Sequence, residues 1–248
     1  MIKFENTEVM NFEGALRGMR NPLNTWDKSD SEFNCDDFYN ETCYGCQYKD
    51  SGCNPQNGVY LGENDLNLTQ RLIKAGSDHR KFLRQIFVSV DITAPLYWWK
   101  EFDTYKVATV SNSCSTMHTI HKKEFTLDDF SHDKLIDSWF NDMGNDDSVC
   151  FDGEYSYEVK AILEDVMIPV LNECRQRYIE TKNKKWWWQI IQLLPTSYNQ
   201  KRTITLNYET LRNIYGSRRN HKLDEWSKGF MEWIDSLPYA EELIKYEG

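Results

Sequence analysis

The chain alternates between stretches of clear apolar rhythm and long polar intervals. Phe12, Ala15, Leu16 and Met19 recur at helical spacing, so a short helix is expected over residues 4–19, ending at Asn21-Pro22. Residues 65–75 read as a second helix, capped by Asn64 or Asp65 and stopped ahead of Gly76. The period then changes. Ile86, Val88, Val90 and Ile92 occupy alternate positions, the pattern of a half-buried strand over residues 82–93. From Ile92 to His118 the chain opens β-branched up to Pro95, continues as an aromatic amphipathic segment with Trp98, Trp99 and Phe102, and closes in a polar loop. Seven of the eight residues from Thr109 to Thr116 carry hydroxyl, amide or thiol groups, Val110 being the exception. Aromatic stripes at helical spacing are usually core. A strand, a helix and a polar loop in succession are a common way to deliver side chains to a site.

Helical patterns dominate the second half. They cover Asp133 to Phe140, then Tyr155 to Thr181 with Val159, Ile162, Leu163, Val166, Val170 and Leu171, where Pro169 is a candidate kink. Lys184 to Leu194, with Trp186, Trp187 and Trp188, is another helix, ended before Pro195. Arg202 to Leu206 is a short β-branched strand, Asn207 to Tyr215 a helix with Gly216 as candidate C-cap, and Leu223 to Leu237 a last helix before Pro238. With no internal repeat and no linker, the pattern predicts one helix-rich α+β domain over residues 1–248.

Residues 25–65 break the rhythm, carrying nine acidic against two basic residues and no sustained period. Such a length of loop needs something to hold it. Cys35, Cys43, Cys46 and Cys53 give C-x7-C-x2-C-x6-C within this acidic insert. The central pair can bite a zinc ion and the flanking pair complete a tetrahedral thiolate site, although the outer spacings match no familiar finger. The other reading is a polar surface insert with free thiols.

Composition narrows the function classes. The 248 residues are 40% hydrophobic and 14% aromatic, ample for a core. A formal net charge of −10 argues against binding nucleic acid through bulk electrostatics, and an anionic ligand would need locally concentrated Arg and Lys. No apolar run of about eighteen residues predicts a transmembrane helix, and the N-terminus lacks the apolar core of a signal peptide. Seven scattered cysteines, an odd number, fit reduced thiols in a cytoplasmic protein.

Motifs add little by themselves. There is no phosphate-binding glycine loop and no GxSxG elbow. His118 and His121 sit three apart in no HExxH context, which favours ordinary surface or core roles. Cys114 lies between Ser113 and Ser115 with His118 four residues on; His118 or Lys106 is a candidate activator, but an inert cysteine is the commoner outcome. Arg212, Arg218, Arg219 and Lys222, with His221 among them, are either helix-surface charge or the seat of an anionic or uracil-like ligand.

Two segments together resemble the flavin-dependent thymidylate synthases. That family carries Arg-His-Arg, seven residues, then Ser; here Thr104-Tyr105-Lys106 is followed by seven residues, VATVSNS, and Cys114. The second segment runs from Leu194-Pro195 through Thr205, Asn207, Leu211 and Asn213 to Arg218, at the family's spacing, with Glu209 in place of the Arg of Asn-x-Arg. A weaker match places Gly76-Ser77-Asp78-His79 near the family's Gly-His-x-Ser/Thr. The resemblance implies an α+β fold with a small, mainly antiparallel sheet, and a homotetramer with sites at subunit interfaces. It implies reductive methylation of dUMP to dTMP with FAD, NADPH and methylenetetrahydrofolate. Arg218 would face the uracil ring as the catalytic group. Thr104, Tyr105, Lys106, Asn207, Asn213, Ser77 and His79 would contact the cofactor, and Glu101, Ser113, Cys114, Ser115 and Arg218 the substrate. Family arginines that hold phosphates are replaced at Thr104, Thr116 and near Ile191, each charged hydrogen bond being worth ~1.5–3 kcal/mol. The same fold used to bind a nucleotide or small anion without synthase activity is the alternative.

Overall fold

The computed structural model describes residues 2–35, 56–136, 149–151, 155–157 and 159–247. The first half of the chain forms β1 (Lys3–Met10), α1 (Phe12–Arg20), β2 (Glu32–Phe33), β3 (Val59–Tyr60), α2 (Glu63–Lys74), β4 (Phe87–Pro95), α3 (Leu96–Phe102), β5 (Val110–Ser113) and α4 (Thr116–Thr119). Then come β6 (Val149–Phe151), β7 (Tyr155–Tyr157), α5 (Val159–Ala161), α6 (Ile168–Thr181), α7 (Lys184–Leu193), β8 (Asn199–Asn207), α8 (Tyr208–Arg218) and α9 (Met231–Asp235). The result is helix-rich with a small antiparallel sheet, in the strand order β1-β4-β8-β5.

Two compact units are distinguished by their internal contacts. One comprises Phe4–Ile92, Thr104–Asn112 and Thr203–Gly248. Here the expected helix over residues 4–19 divides: Lys3–Met10 is a strand and only Phe12–Arg20 is helical. All four residues that set the helical spacing are buried and lie beyond the break at Asn11, whose φ of 68° ends the strand. Upstream, Phe4 stacks on Trp233 at 4.9 Å, a tertiary contact that the local pattern does not contain. The β4 alternation holds, with Val88, Val90 and Ile92 fully buried, but residues 81–85 form a 3-10 turn and the strand begins at Phe87. Helix α2 starts earlier than expected, after Gly62, and its cap comes from another segment. The Asp30 carboxylate accepts from the backbone N–H of Asn64 (2.8 Å) and of Asp65 (3.0 Å). Asp65 turns inward instead, accepting from Arg20 Nε at 2.7 Å and from the hydroxyls of Ser29 and Ser31, each also at 2.7 Å. That buried carboxylate ties down the described start of the acidic stretch. Gly76 does follow α2, with φ 103° where a side chain would be strained. Gly216 does not cap α8, which runs on to Arg218.

The other unit is built on Thr93–Asp103 and Ser113–Arg202. Its aromatic cluster is the expected one: Trp98 stacks on Phe102 at 5.1 Å, with Trp99 edge-on to both. A second core joins Ile120, Phe125 and Phe130 to Leu163, Ile168, Leu171 and Cys174, and to Ile190 of α7. The long helical pattern from Tyr155 is shorter than expected, because Tyr155–Tyr157 pairs with Val149–Phe151 as an antiparallel ladder. Pro169 does not break what remains. A π-helical turn over Ile162–Met167 immediately precedes it, so the wider turn takes up the missing N–H and the ring. Of the helix expected over Asp133 to Phe140, residues 137–140 lie outside the described residues, and Asp133 to Ile136 are not helical.

Candidate functional site

Helix α8 begins abruptly at the end of β8 because Asn207 caps it. The Asn207 Oδ1 accepts from the Thr210 backbone N–H at 2.9 Å and from the Thr210 hydroxyl at 3.1 Å, while its Nδ2 donates to the Arg84 carbonyl at 3.3 Å. Asn207 is buried, and its amide holds β8, α8 and the 81–85 turn in register. The Thr210 hydroxyl also reaches the Val107 carbonyl at 3.3 Å, so the first turn of α8 touches the segment that follows Thr104. Eleven residues after Asn207, Arg218 closes the helix. Its Nε donates to the Tyr105 hydroxyl at 2.8 Å, and its guanidinium lies 5.6 Å over the Tyr105 ring and 5.1 Å over that of Trp226. Two residues singled out from separate segments of sequence are thus in direct contact across 113 positions.

The other expected cofactor contacts sit on the surface of the same unit. Asn213 is exposed on α8, and Thr104 and Lys106 are exposed on either side of the half-buried Tyr105. Ser77 and His79 are exposed in the turn after α2. Neither side chain joins Asn207, but the segment does: the Ser77 carbonyl accepts from Arg84 Nη2 at 3.2 Å, and Arg84 in turn accepts from Asn207. Arg80, which sequence reasoning missed, grips Glu209 with Nε at 2.9 Å and Nη2 at 3.1 Å. The signal was there in charge: a carboxylate standing where an arginine is expected, and buried, requires a cation opposite. Trp226, expected only as part of a helix, proves to be the second ring under Arg218.

In the other unit, two of the expected substrate residues, Cys114 and Ser115, line a small cavity, which Ser113 and Glu101 do not. Ser113 ends β5, Cys114 is exposed, and Ser115 caps the short α4 by accepting from the His118 backbone N–H at 3.0 Å. His118 therefore contacts this loop through its backbone. The Cys114 N–H donates to the Lys201 carbonyl at 2.9 Å, and Gln200 Nε2 donates to the Cys114 carbonyl at 2.9 Å. A cavity of about 180 Å3 opens beside them, lined among others by Cys114, Ser115, Lys123, Tyr198, Gln200 and Lys201. Lys123 is paired with Asp129 at 2.8 Å. Burial pushes the Tyr198 phenol up, and the charges of Asp129 and Cys114 push the same way.

Behind the cavity lies a brace that the sequence did not reveal. Arg202 donates from Nε to Gln200 Oε1 at 2.9 Å and from Nη1 to Asp103 at 2.8 Å, with its guanidinium 4.2 Å over the Trp99 ring. Trp99 Nε1 donates to the Gln200 carbonyl at 2.9 Å. The end of α3 is thereby wired through β8 to the Cys114 backbone. Glu101 lies half-buried on α3.

Of the four cysteines proposed from spacing as zinc ligands, Cys43, Cys46 and Cys53 lie outside the described residues; Cys35 donates its backbone N–H to the Gly58 carbonyl at 2.9 Å. Among the described residues no group of three His, Cys, Asp or Glu could hold a metal ion, and no helix is long and apolar enough to cross a membrane.

No protein-family model matches the chain, and no curated protein matches it by sequence. Similarity appears in three dimensions. A crystal structure of Thymidylate Synthase X (ThyX) from Helicobacter pylori with FAD and dUMP superposes with a TM-score of 0.60 at 15% identity, covering 100% of both chains. A second structure of the flavin-dependent ThyX from the same organism, also complexed with FAD and dUMP, gives 0.59 at 15% identity over 98% of each. Over its whole length, with its helices and small antiparallel sheet, the chain has the fold of those flavin-dependent thymidylate synthase structures.

Proposed function

We propose that the protein binds FAD and a pyrimidine nucleotide and carries out reductive methylation of dUMP to dTMP, with NADPH and methylenetetrahydrofolate as co-substrates, as a homotetramer. The observation that carries this reading is the 2.8 Å hydrogen bond from Arg218 to Tyr105. It joins the two segments that the sequence resemblance selected independently. The donors of the same unit suit the cofactor: Lys106 and Arg218 offer positive charge for phosphates, and the exposed Asn213 and Ser77 offer amide and hydroxyl groups for polar edges. Bound FAD would supply the hydride and one-carbon transfer chemistry. The chain's own part is to bind and orient. Arg218 keeps a fixed positive charge beside the pyrimidine, favouring ionisation at N3, and Tyr105 with Trp226 fixes the plane of that guanidinium. Cys114, Ser113 and Ser115 offer thiol and hydroxyl groups for a nucleotide, and Glu101 a carboxylate. A zinc ion on Cys35, Cys43, Cys46 and Cys53 would be structural in this scheme, and metal analysis of protein purified under reducing conditions tests it.

A second reading, nucleotide or small-anion binding without synthase activity, is favoured by one observation. The Asn207 amide is spent on the α8 cap and on Arg84, and the guanidinium of Arg80 is held by Glu209. Formation of dTMP from dUMP, measured anaerobically with FAD, NADPH and methylenetetrahydrofolate, separates the two. Turnover lost in Arg218→Gln supports the enzyme; nucleotide binding without turnover in the parent protein leaves the binding module.

A further inference from the structure

Helix α6 carries its charges unevenly. On one side Arg177 pairs with Glu173 at 2.6 Å, and Gln176 donates to Glu180 at 2.7 Å, so the charges there are matched or hydrogen-bonded. At 3.6 residues per turn the opposite side carries Ile168, Leu171 and Cys174, all in the core, and continues beyond them as Arg175, Tyr178 and Lys182. The buried face of the helix thus turns cationic over its last two turns. His121 packs there, its ring 5.0 Å from that of Tyr178 and at 79° to it. Lys122 follows in sequence. Among the described residues, the His121 Nδ1 and the Arg175 Nε are buried with no hydrogen-bond partner. The charged groups acting on the imidazole are Lys182, Lys122 and Arg175, all cations.

We propose that His121, Arg175, Lys122 and Lys182, with Tyr178 as the wall, form a binding site for a phosphate-class anion. None of these residues lines the Cys114 cavity. In a chain of formal charge −10, gathering three cations on an imidazole on which no carboxylate acts is unfavourable unless something negative completes the group. A tetrahedral oxyanion suits it better than a single carboxylate. It accepts from guanidinium, ammonium and imidazole groups at once, and small side-chain shifts towards it give the two orphaned nitrogens a partner. Burial and the three cations together hold the imidazole below its ordinary 6.5, which favours its neutral form when the site is empty. An anion reverses that balance and raises the imidazole, so binding takes up a proton and strengthens as pH falls.

The test is an NMR titration of the full-length protein with inorganic phosphate at about pH 5.5 and about pH 7.5, against sodium chloride at matched ionic strength, with the His121 signal assigned by His121→Gln. The expected result is a saturable shift of the His121 ring signals with phosphate only and an upward move of its titration midpoint. Arg175→Gln should weaken phosphate by about tenfold or more, and Arg175→Lys should recover part of it. Should Arg175→Gln fold poorly, the exposed Lys182→Gln replaces it, with a smaller loss. AMP in place of phosphate distinguishes the source of the anion: equal affinity means the phosphate alone is recognised, tighter binding a nucleotide. Chloride moving His121 as phosphate does, or Lys182→Gln and Arg175→Gln both binding phosphate like the parent protein, overturns the site.

Discussion

Arg80 and Glu209 form a two-pronged ion pair, with Nε and Nη2 of the guanidinium at 2.9 Å and 3.1 Å from the carboxylate oxygens, and side chains only 18% and 11% exposed. The pair clamps the turn after α2 to the first turn of α8. Removing one partner strands a charge in a poorly solvated place, which costs about 3–5 kcal/mol. Glu209→Gln should therefore lower the melting temperature clearly, and Arg80→Met with Glu209→Met should recover most of the loss. Equal melting temperatures for Glu209→Gln and the parent protein would show that the clamp contributes nothing.

Asn207 gives a prediction in which fold and function part ways. Its Oδ1 caps α8 and its Nδ2 holds the Arg84 carbonyl. Asn207→Ala should cost about 1–2 kcal/mol for the cap alone. Asn207→Asp keeps the acceptor, removes the donor, and should fall between the two in denaturant midpoint. A flavin affinity that drops far more than stability in Asn207→Asp would assign the amide to the cofactor instead.

The brace behind the Cys114 loop is testable through the thiol. Arg202 links Asp103, Gln200 and the Trp99 ring, and Gln200 holds the Cys114 carbonyl. Arg202→Lys keeps the charge but cannot span the two acceptors in the same fork. The Cys114 thiol, already exposed, should then react faster with a disulfide reagent, Cys114→Ser giving the background. An unchanged rate removes the brace from the account.

Stability should also depend on pH through His121. Its folded-state value lies below its ordinary 6.5, first from burial and then from Lys182, Lys122 and Arg175. The unfolded chain thus takes up the proton more readily. The stabilisation is present above about pH 6.5 and is lost as pH falls through the lower folded-state value. His121→Gln should flatten this part of the curve of melting temperature against pH. A steeper fall in that variant would contradict the assignment.

What the sequence made legible was local. The alternation Val88, Val90, Ile92, the cluster Trp98, Trp99 and Phe102, and the helices ending at Pro195 and Pro238 were all readable, because short-range periodicity and proline carry them. Lys3–Met10 was not, since an exposed strand with one anchoring ring is held by its partner and by Trp233. Nor was the capping of α2 by Asp30, from 34 residues away. For the site, spacing picked out Tyr105 and Arg218, which meet. Trp226 under Arg218, Arg80 on Glu209 and Arg202 behind the Cys114 loop were hidden, because each acts across a distance in sequence that no local pattern records.

The central claim is that the surface around Tyr105 and Arg218 holds a flavin and leaves room for a pyrimidine nucleotide. Anaerobic titration of the purified protein with FAD, followed in the visible spectrum with and without dUMP, measures it directly. The account predicts a saturable perturbation of the flavin bands, bleaching by NADPH, and a further change on adding dUMP that is lost in Arg218→Gln. A colourless protein whose addition leaves the FAD spectrum unchanged, with or without dUMP, would contradict it.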